Sequence, residues 1–272
     1  MSRNTAETNP TETTLTVLYR QWYAEIRIEM DGSSKYCCIS DRDQGRDEPL
    51  RLTELLGIRP GITAVIGSGG KTTLLQTAGT LLAEQGYHVL LCTTTKIFPF
   101  QDMPCAENLR ELDCLRQTHR LLCAGKPVPG TGKYTALDVP VSALVERFDY
   151  VLVEADGAAQ HPMKAHAPYE PALPEPCDRI LCVVGASGFW RPIREAAHRP
   201  ALYAERAGAA LEDHITPEMA ARVLRRESLH FHQMFVNQTE TPRQRTAARQ
   251  LAARMDCPVA AGSLQRGDWF LC

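Results

Sequence analysis

The sequence predicts an α/β fold of three layers: an open, mainly parallel sheet with helices on both faces. Three observations predict it. Continuous apolar runs at 62–66, 89–92, 150–153 and 180–184 have the length and the lack of alternation of strands buried on both faces of a parallel sheet. Around them, apolar residues recur at helical spacing, so that strands and helices alternate along the chain. The first strand-to-helix junction is the glycine-rich turn Gly67-Ser68-Gly69-Gly70-Lys71-Thr72-Thr73, placed where an open α/β sheet binds anions.

Residues 1–51 read differently from the rest. They are polar from 2 to 14, then alternate around Trp22, Ala24, Ile26 and Ile28, and Asp31-Gly32 precedes a second short run at 35–39. Alternation on either side of Asp-Gly is a hairpin signal, and the charged stretch 41–49 reads as a linker. The division expected is therefore an N-terminal extension over 1–51 and one domain over 52–272.

Within that domain the strand at 62–66 leads through the glycine turn into a helix. Its apolar face is Leu74, Leu75, Ala78, Leu81 and Leu82, and it stops at Gly86, a residue suited to the left-handed position after a helix. With the strand at 89–92 this makes a βαβ unit of about 30 residues. Helices are expected over 109–122 and 139–148, ahead of the strands at 150–153 and 180–184. Thr216-Pro217 and Thr241-Pro242 each set a capping hydroxyl before a proline at the first helical position. They open helices over 217–227 and 242–255, which flank a strand at 234–236, and a last short strand is expected near Val259.

Composition narrows the function. The chain has 272 residues, 30 Lys and Arg against 32 Asp and Glu, and a net charge of −2. There is no basic field for nucleic acid, no apolar run of membrane-spanning length and no leader pattern over the first twenty residues. A soluble, cytoplasmic protein is the expectation. The ten cysteines, at 37, 38, 92, 105, 114, 123, 177, 182, 257 and 272, contain no Cys-x-x-Cys pair and read as reduced thiols. Cys92, just before a threonine run, is the first thiol to test for a functional role.

The glycine turn carries the chemistry. Glycines let backbone N–H groups converge on an anion, the helix start adds a favourable dipole, Lys71 supplies a point charge for terminal phosphates, and the Thr72 hydroxyl can ligate Mg²⁺. Gly67, Ser68, Gly69, Gly70, Lys71, Thr72 and Thr73 are thus the candidate nucleotide-binding residues of a P-loop NTPase-like domain taking ATP or GTP. The usual pattern has glycine where this chain has Val65, a departure shared by amino-acid ligases of the cell-wall precursor type. Val153-Glu154-Ala155-Asp156-Gly157 follows an apolar strand, and Glu154 and Asp156 are the candidate metal ligands and catalytic acids beside Lys71.

Thr93-Thr94-Thr95-Lys96 follows the strand at 89–92. Thr95 and Lys96 read either as a γ-phosphate or substrate contact or as an extension of the strand. Lys164, His198 and Arg199 are further substrate candidates, with a solvated loop or an anion or cap role as the alternatives. Asn237-Gln238-Thr239-Glu240 stands where GTPases place Asn-Lys-x-Asp. Gln238 replaces Lys and Glu240 replaces Asp, which argues against guanine specificity and leaves Asn237 as the base-site candidate.

Taken in order, the segment 66–73, Thr93-Thr94-Thr95-Lys96-Ile97, Val153-Glu154-Ala155-Asp156-Gly157-Ala158 with Pro162-Met163-Lys164, His198-Arg199-Pro200 and Ile215-Thr216-Pro217-Glu218 resemble the YqeC family over about 52–263. Members are described as selenium cofactor biosynthesis proteins or accessory proteins of selenium-dependent molybdenum hydroxylases. The resemblance implies a phosphate-loop fold, a role in maturing such a hydroxylase, and the hydroxylase and its cofactor-maturation proteins as partners. It supplies no reaction. Three readings remain at this point: an Mg²⁺-dependent NTPase or phosphotransferase whose second substrate, a pterin or selenium species, sits near Lys96, Lys164 and Arg199; a nucleotide-dependent switch that delivers the cofactor; and an ATP-dependent small-molecule ligase.

Overall fold

The computed structural model describes residues 51–100 and 102–272. The hairpin and linker expected within 1–51 lie outside these, apart from residue 51. Among the described residues a nine-stranded sheet runs, in spatial order, Asp268–Leu271, Val259–Ser263, Gln233–Asn237, Arg179–Gly185, Gly61–Gly67, Tyr150–Glu154, Val89–Thr93, Leu121–Ala124 and Cys105–Ala106. Every neighbouring pair is parallel except Val259–Ser263 with Asp268–Leu271. The open, mainly parallel sheet is the one the sequence predicts.

Alternating side chains of the central strands serve two helical layers. Val65, Leu91, Leu181 and Phe235 pack with Leu52, Leu74, Leu75, Ala78 and Leu82, from the helices Leu52–Leu55 and Lys71–Glu84. Their sequence neighbours Ala64, Ile66, Cys182 and Val236 turn the other way, onto Tyr203, Val223 and Leu251 of the helices Pro200–Ala207, Pro217–Arg226 and Pro242–Ala252. Leu90, Cys92, Val151 and Val153 also face that way and meet Leu112 and Leu144 of two shorter helices. A strand between two helical layers is apolar at every position, which is why these strands are continuous apolar runs.

Both proline-opened helices begin as expected. The Thr216 hydroxyl accepts the Met219 N–H, and Thr241 forms a reciprocal capping box with Gln244. Two expectations change. The helix expected over 109–122 covers only Leu109–Leu115, with Asn108 as its cap. Leu121–Ala124 leaves it to pair with Val89–Thr93 on one side and Cys105–Ala106 on the other, because a short apolar run between two strands gains more from ladder pairing than from one further helical turn. Of 139–148 only Ser142–Val145 is helical. The βαβ unit over 62–92 is present, with Tyr150–Glu154 lying between its two strands in the sheet.

Candidate phosphate-binding site

Strand register assembles the site. Gly61–Gly67 is parallel to Tyr150–Glu154 with Val65 opposite Glu154, so the first loop residue, Gly67, comes level with Asp156 and donates its N–H to Asp156 Oδ2 at 2.8 Å. Thr93 is also opposite Glu154, and Asn237 is opposite Gly185. The carboxyl ends of the central strands thus end on one edge, where open α/β sheets bind ligands.

The loop turns on glycines that no other residue replaces. Gly69 has φ +79°, and a Cβ there would lie 2.3 Å from the Gly185 nitrogen; Gly70 has φ +119°, and a Cβ would lie 2.4 Å from Asn237 Nδ2. The Ser68 N–H donates to Val183 O at 2.8 Å, the Gly69 N–H to His161 O at 3.2 Å, and the Ser68 hydroxyl to Pro162 O at 2.9 Å. Helix Lys71–Glu84 starts directly after Gly70, so its N-terminal dipole points along the loop. Thr73, at the outer side of this start, is exposed.

Lys71, Thr72, Glu154 and Asp156 come together. Lys71 is 4% exposed; its ammonium donates to Gly67 O at 2.8 Å and lies 3.1 Å from Asp156 and 3.7 Å from Glu154. The Thr72 hydroxyl donates to Glu154 Oε2 at 2.8 Å. Burial raises the Glu154 carboxyl above its ordinary range, against the opposing pull of Lys71 and Thr72. Burial pushes Asp156 the same way, but Lys71, the His166 hydrogen bond and Lys164 outweigh it and hold that carboxyl well below the usual range.

Behind Asp156 lies an ionic network that spacing in the sequence does not announce. His166 joins Asp156 Oδ2, 2.8 Å from Nε2, to Glu227, 2.7 Å from Nδ1, and Arg206 pairs with the same Glu227. Lys164 sits between Asp156 at 3.1 Å and Glu170 at 3.2 Å, and Arg199 forks onto Glu170 at 2.6 and 3.1 Å. His198 pairs with Lys164 in a short parallel ladder. Of the substrate candidates, Lys164, His198 and Arg199 are therefore brought together, and Lys164 is buried rather than solvated. Thr95 is tied to Thr93, through its N–H at 3.0 Å and with the two hydroxyls 3.3 Å apart, while Lys96 is exposed. Asn237 braces the loop: its Nδ2 donates to Gly69 O at 2.8 Å and its Oδ1 accepts the Leu264 N–H at 3.2 Å.

The His166 bridge has a pH consequence. Burial lowers its proton affinity, but the bonds to Asp156 and Glu227 more than reverse this and leave the pKa raised. Its stabilisation is then complete below the unfolded value of about 6.5 and is lost as pH rises through the higher folded value. A thermal-melt series across that window is expected to show a native midpoint falling with pH more steeply than in His166→Gln; parallel profiles would contradict the bridge.

Glu170, Arg206 and Glu227 are site residues that sequence reasoning missed, since Glu170 meets Arg199, and Glu227 meets Arg206 and His166, across 21 to 61 residues of chain. Among the described residues there is no group of three or more His, Cys, Asp or Glu side chains able to hold a metal. None of their helices is long and apolar enough to cross a membrane. Burial pushes the Cys92 thiol up to about 12, which makes it a poor nucleophile at neutral pH.

Known proteins resemble the chain at two levels. In solved structures, the 54 kDa protein of the signal recognition particle from Aeropyrum pernix K1, in complex with GDP, is 14% identical with a TM-score of 0.39; the match covers 79% of this chain and 44% of that one. FtsY from Mycoplasma mycoides is 12% identical with a TM-score of 0.40, over 83% of this chain and 68% of that one. This chain thus spans less than half of the signal recognition particle protein. In sequence, the protein carrying the name Uncharacterized protein YqeC from Escherichia coli (strain K12) is 30% identical over 171 residues, 59% of this chain and 67% of that protein. The family model described as YqeC protein matches residues 63–201, just over half of the 272 residues. With its phosphate loop, its threonine run and its acidic pair inside the matched span, the chain belongs to the YqeC family.

Proposed function

We propose that the chain binds an Mg²⁺–nucleoside triphosphate at 67–73 and hydrolyses it or transfers its terminal phosphoryl group, in the cytoplasm, during maturation of a selenium-dependent molybdenum hydroxylase. One observation carries the nucleotide reading: Lys71, Thr72 and Glu154 converge at the head of a helix that follows a positive-φ glycine loop. The maturation role is supported by the family's motifs alone.

The donor set fits Mg²⁺. Thr72 and Glu154 present two hard oxygens already within hydrogen-bond distance of each other, and Mg²⁺ characteristically takes one or two protein oxygens and completes its shell with phosphates and water. Bound there, the ion supplies charge neutralisation between phosphates. The chain's own residues do the rest. The N–H groups at the helix start, after the internally bonded Gly67, Ser68 and Gly69, orient the phosphates, Lys71 places its charge on the transferring group, and Asp156 holds both Lys71 and the Gly67 N–H in position.

In solution, nucleotide binding and phosphate release by the purified chain are expected to need Mg²⁺ and to vanish with EDTA, and Thr72→Val is expected to weaken the Mg²⁺ dependence about tenfold or more. Absence of nucleotide binding with and without Mg²⁺ would overturn the reading. A second reading, a switch that delivers the cofactor to its hydroxylase, is favoured by the chain of contacts from Asp156 through His166 and Glu227 to Arg206, which ties the loop to two surface helices. It requires different affinity for the hydroxylase in the di- and triphosphate states; equal affinities would exclude it.

A further inference from the structure

We propose that the cleft beside the phosphate loop is a base pocket and that it selects guanine through Glu240. This rests on the nucleotide reading above and names the base. The cleft holds about 240 Å³ and runs from Gly70 and Thr73, at the end of the loop, to Asn237, Glu240 and Leu264. Whole organic ligands fill roughly 300–1,000 Å³, so this space suits one ring system attached to phosphates that lie elsewhere. Its position against Gly70 and Thr73 puts that ring at the far end of a nucleotide whose phosphates occupy the loop.

Asn237 is not the reader. Both ends of its amide are engaged, on Gly69 and on Leu264, so that it fixes the loop against the segment after Val259–Ser263. Glu240 is the charged residue of the lining. Its Oε1 accepts the Ser263 hydroxyl at 2.7 Å, which anchors the carboxylate, and its backbone oxygen accepts from Arg266 at 3.0 Å, which fixes the main chain that carries it. A carboxylate beside a polyanion is unfavourable unless it meets donors. Guanine presents two adjacent donors, N1–H and the 2-amino group, which match two carboxylate oxygens. Adenine presents an acceptor, N1, next to its amino donor, and the acceptor faces the carboxylate with repulsion. The replacement of Asp by Glu noted in the sequence keeps both acceptor oxygens and adds one methylene of reach.

The experiment is a calorimetric or fluorescence titration of the full-length chain with Mg²⁺ and the diphosphates of guanosine, adenosine, inosine and xanthosine. GDP is expected to bind at least about tenfold tighter than ADP, and about tenfold tighter than IDP, which lacks the 2-amino donor. Glu240→Gln offers one acceptor and one donor in place of two acceptors, so it should lose about tenfold for GDP and gain for XDP, whose 2-oxo group accepts the new donor. ADP binding as tightly as GDP, or a GDP to IDP ratio near one, overturns the guanine assignment and leaves the phosphate loop standing. No binding of any diphosphate to the native chain overturns both. The native GDP, ADP and IDP comparison decides the matter even if Glu240→Gln fails to fold.

Discussion

Lys71→Ala is expected to abolish triphosphate turnover, lowering it by about a thousandfold or more, because a cation on a transferring phosphoryl group contributes on that order. The structure adds a second effect. The ammonium lies 3.1 Å from Asp156 and 3.7 Å from Glu154, so alanine leaves two buried carboxyl groups facing each other. Breaking a buried pair by removing one partner costs about 3–5 kcal/mol. Loss of turnover and loss of stability are separated by measuring both: phosphate release and nucleotide binding at a temperature well below the variant's own melting midpoint. A folded Lys71→Ala chain with native turnover would sink the phosphoryl-transfer reading.

Asp156→Asn is expected to destabilise by a similar amount, about 3–5 kcal/mol, although it is nearly isosteric. Lys71, Lys164 and His166 all converge on this fully buried carboxylate, and an amide neutralises none of them. The pH dependence discriminates this from loss of packing. With its folded pKa depressed, Asp156 contributes stability that is present above its unfolded value of about 3.9 and is lost as pH falls through the lower folded value. Denaturant unfolding should therefore show the largest gap between native chain and variant near neutrality and a shrinking gap below about pH 4. A constant gap would mean that the charge of Asp156 is not what matters.

The central sheet was legible because strands buried on both faces have nowhere to place polar residues, as at 62–66 and 180–184. Helix starts were legible where chemistry is local, as with Thr241 and Gln244, three residues apart. Leu121–Ala124 was not, since Leu121-Leu122-Cys123 continues a helical apolar pattern as well as it begins a strand, and only its place beside Val89–Thr93 decides. The site divides in the same way. Gly67, Lys71 and Thr72 are joined by adjacency in sequence, and Glu154 and Asp156 by their place after a strand. The pairing of Arg199 with Glu170 and of His166 with Glu227 is set by which loops the fold lays together, and no spacing encodes that.

The strand order has a consequence for how the chain acquires this site. The strand that bears the phosphate loop has no sheet partner near it in sequence: one side waits for Tyr150–Glu154 and the other for Arg179–Gly185. During synthesis at about 5–20 residues per second, residues 61–67 spend several seconds as an unpaired apolar segment, and such long-range pairing also slows folding from denaturant. Phosphate-loop competence should arrive late and all at once, and fragments ending before the Arg179–Gly185 strand should carry the intact 67–73 sequence without the shape that makes it a binding site.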